Sequence, residues 1–148
     1  MKKILVSACL LGEKCRYDGK SKPCDSVIKL SEKFELVPIC PEVFGGLPTP
    51  RIPTEIVDGA ALRKDGVDVS NEYKIGAQKA LNIAIQNNIN IAVLKEKSPS
   101  CGKDLIHNGK FDGGLVEGNG ITVDLFLNNR INVYKESEVD KLLNDNEK

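Results

Sequence analysis

The stretch Lys3-Ile4-Leu5-Val6-Ser7-Ala8-Cys9 is a short apolar run that closes on a cysteine. Two further runs end in a similar way. Leu36-Val37-Pro38-Ile39 stands directly before Cys40, and Ile91-Ala92-Val93-Leu94 leads through a polar loop to Cys101. Such compact apolar runs read as buried parallel strands. In an open α/β sheet the carboxyl ends of the strands form one rim, where ligands bind. Cys9, Cys40 and Cys101 are therefore expected to meet there as a three-thiolate cluster. That set suits a metal or an iron–sulfur centre with one position left free for chemistry.

Outward from these runs, strands and helices alternate. A polar loop from Leu11 to Pro23 follows the first strand. A helix capped by Asp25 or Ser26 is expected to reach about Lys33, with Val27, Leu30 and Phe34 on one face. After Cys40 comes a segment, 41–53, in which four prolines argue against regular helix and central strand alike. Long ordered loops in compact domains usually carry a task. Residues 55–69 suit a hairpin turning at Lys64-Asp65-Gly66. The clearest helix spans 70–87, with Tyr73, Ala77, Ala80, Leu81 and Ala84 in its period. A third strand over 89–94, a Gly-rich hairpin around Asn108-Gly109, a helix from about Thr122 to Asn128 and a fourth strand, 131–134, complete the pattern. Ser137 is expected to cap a terminal helix carrying Val139, Leu142 and Leu143. The expected fold is α/β: one domain over residues 1–148, a doubly wound, mainly parallel sheet of Rossmann or flavodoxin type in three layers, with short β-hairpin insertions.

Composition narrows the function. Hydrophobic residues make up 41% and charged residues 28%, as in a folded soluble chain. Lys plus Arg and Asp plus Glu are 21 each, so no nucleic-acid footprint stands out. Met1-Lys2-Lys3 runs straight into a strand, and the apolar stretch after it is broken by Ser7 and Gly12, which fits neither a leader nor a membrane span. A cytoplasmic protein is expected. Five cysteines there favour metal binding or reactivity over disulfides.

No Cys-x-x-Cys spacing supports a zinc ribbon. Any one cysteine is well explained as a small buried hydrophobe; three at three strand ends are not. Cys15 stays open between a fourth ligand and a nearby reactive thiol, and Cys24 is expected to have no role. Glu42, stiffened by Pro41, is placed near the thiolates, where a carboxylate can serve as general acid or base. Ser98 and Ser100 flank Pro99 next to Cys101 and can donate hydrogen bonds or relay a proton. A solvated loop charge and ordinary turn capping explain the same residues equally well. Arg16, Tyr17, Thr49 and Arg51 offer a ring and two guanidinium groups to a planar or anionic ligand, or else surface ion pairs. His107, the only histidine, sits in a Gly/Asn-rich stretch and is expected to be exposed and idle.

Taken together, Ser7-Ala8-Cys9-Leu10-Leu11-Gly12, Cys15-Arg16-Tyr17-Asp18-Gly19, Cys40-Pro41-Glu42, Gly45-Gly46-Leu47-Pro48-Thr49-Pro50-Arg51 and Lys97-Ser98-Pro99-Ser100-Cys101-Gly102 carry a resemblance that spans nearly the whole chain. The sequence resembles a bacterial domain-of-unknown-function family that includes the [4Fe–4S]-dependent thiouracil desulfurases. The resemblance implies an oxygen-sensitive [4Fe–4S] cluster, readily lost in air, held by Cys9, Cys40 and Cys101 alone. It also implies acid/base roles for Glu42 and a serine of the 98–100 turn, Ser98 being favoured. The expected reaction is non-redox desulfuration of a small thiolated pyrimidine, giving the oxo base and hydrosulfide. A non-catalytic iron–sulfur or sulfur-carrier protein, and a zinc or thiol protein binding a small ligand, are the competing readings.

Overall fold

In the computed structural model, which describes residues 1–144, the three apolar runs lie side by side. In chain order the elements are β1 (Lys2–Ser7), a 3-10 turn (Ala8–Leu11), α1 (Asp25–Ile28), a second 3-10 turn (Lys29–Glu32), β2 (Phe34–Ile39) and α2 (Pro41–Phe44). Then come β3 (Thr54–Val57), β4 (Ala60–Arg63), α3 (Ser70–Gln86) and β5 (Ile91–Leu94). The rest is β6 (Leu105–His107), β7 (Leu115–Glu117), α4 (Ile121–Asn128), β8 (Asn132–Lys135), a 3-10 turn (Glu136–Glu138) and α5 (Val139–Asn144).

The main sheet has the order β2-β1-β5-β8 with every pairing parallel. Leu5 pairs with Val37 on one side and Ala92 on the other. Side chains alternate across a strand, and both faces are covered. Ile4, Val6, Ile91 and Val93 pack with Val27, Leu30, Val139 and Leu142. Leu5, Ala92, Leu94 and Val133 pack with Ala80, Leu81 and Ala84 of α3 and with Val123 and Phe126 of α4. That double burial explains why the runs of β1 and β5 are apolar without a break. Each buried Val, Leu, Ile or Phe among these side chains contributes about 1.5–3 kcal/mol. No helix among the described residues is long and apolar enough to cross a membrane.

Two small antiparallel pairs, β3-β4 and β6-β7, stand outside the main ladder. Their turns differ from expectation. The first hairpin reverses at Asp58-Gly59, where both residues have positive φ, while Lys64–Gly66 forms a second turn that brings Asp68 to Leu62. In the second, Asn108-Gly109 opens a longer loop instead of forming the reversal. Helix also begins where four prolines argued against it. Pro41 occupies the first turn of α2, where a missing N–H is no loss. The first helix is shorter than expected, passing into a 3-10 turn after Ile28. Ser137 is no cap: its hydroxyl donates to Glu96 (3.2 Å), and the Glu138 carboxylate accepts the Lys135 N–H (2.9 Å) instead.

Candidate active site

Beyond the carboxyl ends of β1, β2 and β5 lies a cavity of about 440 Å³, lined by Cys9, Cys15, Cys40 and Cys101 together with Glu42 and Ser98. Each thiol is delivered by different local chemistry. Cys9 lies in the 3-10 turn directly after β1. Gly12 ends that turn at φ +101°, and the Cys9 carbonyl accepts the N–H of Lys22 at 3.0 Å. Cys40 closes β2 and precedes α2, whose Phe44 N–H returns to the Cys40 carbonyl at 2.9 Å.

Cys101 sits in the turn after β5, and that turn is anchored on α4. The carbonyls of Pro99 and Ser100 accept the N–H groups of Ile121 and Thr122, each at 3.0 Å, which satisfies donors at the start of the helix. Inside the turn, Ser98 Oγ accepts the N–H groups of Ser100 (3.1 Å) and Cys101 (3.0 Å). Gly120 permits the close packing, since a Cβ there would lie 2.4 Å from the Ser100 carbonyl oxygen.

Glu42 is gripped from two sides. Arg51 Nε (2.9 Å) and Nη2 (2.5 Å) donate to Oε2, and the Ser98 hydroxyl donates to Oε1 at 3.3 Å. Both charged side chains are largely withdrawn from water, Arg51 to 8% and Glu42 to 13% exposure. Burial works against the Arg51 charge, but the neighbouring Glu42 carboxylate outweighs it and raises the guanidinium further. Arg51 Nη1 also donates to the carbonyls of Cys15 (3.1 Å) and Pro48 (3.2 Å) and to Thr49 Oγ1 (3.3 Å). Its donors are thus occupied by the protein itself.

Three of the cavity thiols, Cys15, Cys40 and Cys101, are held in their neutral form. A hydrogen bond to Cys15 and then burial push Cys40 well above the ordinary thiol range. Burial, then the charge of Glu42, pushes Cys101 up to about 12. For Cys15 the contact with Cys40 works downward, but Cys9 and burial prevail and raise it to about 11.

The cavity gathers most of the residues singled out from sequence: Cys9, Cys40, Cys101, Glu42, Ser98, Arg16, Tyr17 and Arg51 all line it. Ser100 and Thr49 do not. Ser100 is fully buried with its hydroxyl 2.7 Å from Thr122 Oγ1, and Thr49 is exposed and braces Arg51. Arg16 lies 3.9 Å from Asp18 and stacks over the Tyr17 ring at 5.9 Å. Cys24 does not line the cavity; its Sγ lies 3.4 Å from Ser26 Oγ. Tyr73 and His107 are among the lining residues that the sequence did not single out. Tyr73 looked like plain helix core, and burial, then Glu42, keeps its phenol protonated. His107 is half-buried in the cavity wall, where an exposed residue was expected.

Residues 4–138 match the 2-thiouracil desulfurase family. The chain belongs to that family. Among its relatives is the uncharacterized protein YbbK of Bacillus subtilis (strain 168), 38% identical over 95% of this chain and 99% of that protein. A solved structure titled as the [4Fe–4S]-dependent thiouracil desulfidase TudS is 41% identical, covers 97% of this chain and 96% of its own, and superposes with a TM-score of 0.91. The donor set of this desulfurase-family chain fits such a cluster. Several thiols line one cavity, and the burial that disfavours lone thiolates there is relieved by binding them to cationic iron. Among the described residues no three of His, Cys, Asp and Glu close on a single ion. A cluster does not need that, because each thiolate takes its own iron.

Proposed function

We propose that this chain hydrolyses the carbon–sulfur bond of a thiolated pyrimidine such as 2-thiouracil at a [4Fe–4S] cluster held by Cys9, Cys40 and Cys101. Thiocarbonyl and water become carbonyl, hydrosulfide and a proton, with no net electron transfer. The observation that carries this reading is the hydrogen-bonded set Arg51–Glu42–Ser98 sharing one cavity with the three thiols. When bound, the cluster supplies an iron without a protein ligand, a Lewis acid with affinity for soft sulfur.

The chain's own residues handle water and protons. Arg51 holds Oε2 of Glu42, which leaves Oε1 to Ser98 and to a water molecule. Glu42 takes one proton as the water oxygen attacks the thiocarbonyl carbon. Glu42 returns that proton to the sulfur, collapse of the adduct expels hydrosulfide, and the second water proton passes from the new carbonyl oxygen to bulk solvent. The acceptor capacity of Ser98 Oγ is occupied by two backbone N–H groups, so its hydrogen is directed at Glu42. Ser98 is therefore the serine that relays the proton, and Ser100 is a buttress behind it. Tyr17 and Arg16 face the planar base, while Arg51 and Thr49 position Glu42.

The architecture of the described residues is read as one flavodoxin-like, doubly wound domain. The chain order of the sheet reverses between β1 and β5, the place where such folds bind ligands. A cytoplasmic setting keeps the thiols reduced.

Anaerobically reconstituted protein given 2-thiouracil is expected to release many equivalents of uracil and hydrosulfide per chain. At most one equivalent would make the protein a sulfur carrier, and zinc without labile sulfide would remove the cluster from the reading. E42Q should retain iron and sulfide while its turnover falls about 10²–10⁴-fold; full activity would exclude the carboxylate.

A further inference from the structure

Among the described residues, Nδ1 of His107 is the one buried side-chain nitrogen or oxygen without a hydrogen-bond partner. Folded proteins rarely leave such an atom unpaired, because burial without a partner is costly. His107 ends β6 and lines the same cavity as the cysteines. The backbone beyond it is braced. The buried Glu55 carboxylate accepts the N–H groups of Gly109 (2.9 Å) and Phe111 (3.2 Å), tying this loop to the β3-β4 hairpin. Gly109 has φ +84°, and a Cβ there would come within 2.8 Å of the Ile56 carbonyl oxygen. Phe111 and Gly113 line the cavity as well. The histidine thus stands on a built wall, with one buried nitrogen unpaired.

We propose that His107 is a specificity-determining residue whose Nδ1 accepts a hydrogen bond from a ring N–H of the thiolated pyrimidine. This rests on the desulfurase reading above and adds to it how the heterocycle is chosen. A neutral imidazole presents one bare nitrogen as acceptor, and a thiouracil ring carries N–H groups on both sides of its thiocarbonyl. A pyrimidine whose N–H is replaced by N–CH₃ leaves Nδ1 unpaired and adds bulk against the wall. Sites built to bond a substrate N–H reject analogues lacking it far more strongly than apolar pockets reject a methyl group.

The test compares 2-thiouracil with its 1-methyl and 3-methyl derivatives on anaerobically reconstituted protein. In the wild type, one methyl derivative should lose at least about 100-fold in kcat/KM. In H107F that discrimination should shrink to within about 5-fold, mainly through KM for 2-thiouracil, with iron and sulfide content unchanged. H107N, whose amide oxygen can accept at a similar place, should restore most of it. Calorimetric titration with uracil should show binding weakened about tenfold in H107F and recovered in H107N. The ratio is read in H107A too, so misfolding of one variant leaves the test standing. Undiminished discrimination in H107F and H107A, or equal uracil affinity in all variants, would overturn the assignment. Absence of turnover in the wild type would instead strike the desulfurase reading itself.

Discussion

Gly45 and Gly76 meet face to face and let α2 lie directly on the backbone of α3. A Cβ on Gly76 would sit 1.7 Å from the Pro41 carbonyl oxygen, and one on Gly45 would sit 1.9 Å from that of Glu72. Pro41 lies between Cys40 and Glu42, so this contact sets where a thiol and a carboxylate stand. Alanine in place of a helical glycine ordinarily stabilises by about 1 kcal/mol. Here G76A should destabilise by about 1–3 kcal/mol and reduce iron per chain on reconstitution. Chemical denaturation and iron analysis check both. A stabilised G76A with full iron would show that α2 moves away freely.

Replacing Cys9, Cys40 or Cys101 singly by Ser should each abolish stable cluster binding, read as loss of the visible iron–sulfur absorbance and of labile sulfide. C24S should match the wild type in cluster content, since that thiol does not line the cavity and bonds to Ser26. C15A should keep its cluster, because the proposed ligands are Cys9, Cys40 and Cys101. An intact cluster in C101S would break the assignment.

The two serines of the 98–100 turn should separate cleanly. S98A removes the hydroxyl aimed at Glu42 and strips the acceptor from the N–H groups of Ser100 and Cys101. Turnover should collapse, together with a destabilisation of about 1–3 kcal/mol. S100A leaves the buried Thr122 hydroxyl alone. It should cost similar stability while kcat stays within about threefold. Urea midpoints and steady-state kinetics distinguish the two, and a large kcat defect in S100A would contradict the division.

Acid stability should report on Glu138. Its carboxylate accepts the Lys135 N–H (2.9 Å) and pairs with Lys141 (2.9 Å) and Lys103 (3.4 Å). Burial opposes the charge, but these contacts prevail and draw the carboxyl from 4.5 to about 2. The unfolded chain then takes up its proton before the folded one does. The stabilisation is complete above about pH 4.5 and is lost as pH falls toward 2. Urea midpoints followed across that window should drop more steeply for the wild type than for E138Q; parallel curves would remove the effect.

The sheet could be read in advance because strands covered on both faces leave an uninterrupted apolar trace, as at Ile4-Leu5-Val6 and Ile91–Leu94. Convergence of the thiols followed from the same fact, since parallel strands end on one rim. Helix α2 was hidden because proline density argues against helix on average, while Pro41 sits at the one turn that tolerates it. Ser98 and Ser100 look alike in sequence, and only packing of their turn on α4 decides which hydroxyl meets Glu42. Arg51 read as a ligand contact because its four protein acceptors become neighbours only when the 41–53 segment folds on itself and against the loop that carries Cys15. His107 reaches the cavity on a hairpin clasped by Glu55, whose partner Gly109 is 54 residues away. No local pattern announces a contact of that range.

The clasp at Glu55 divides the labour of the molecule. Cys9, Cys40 and Cys101 follow strands of the main sheet, whereas His107 and Phe111 belong to a separate ribbon that one acidic side chain helps tie to its neighbour. If His107 selects the heterocycle as proposed, exchange of residues 107–113 would change that choice without touching Cys9, Cys40 and Cys101.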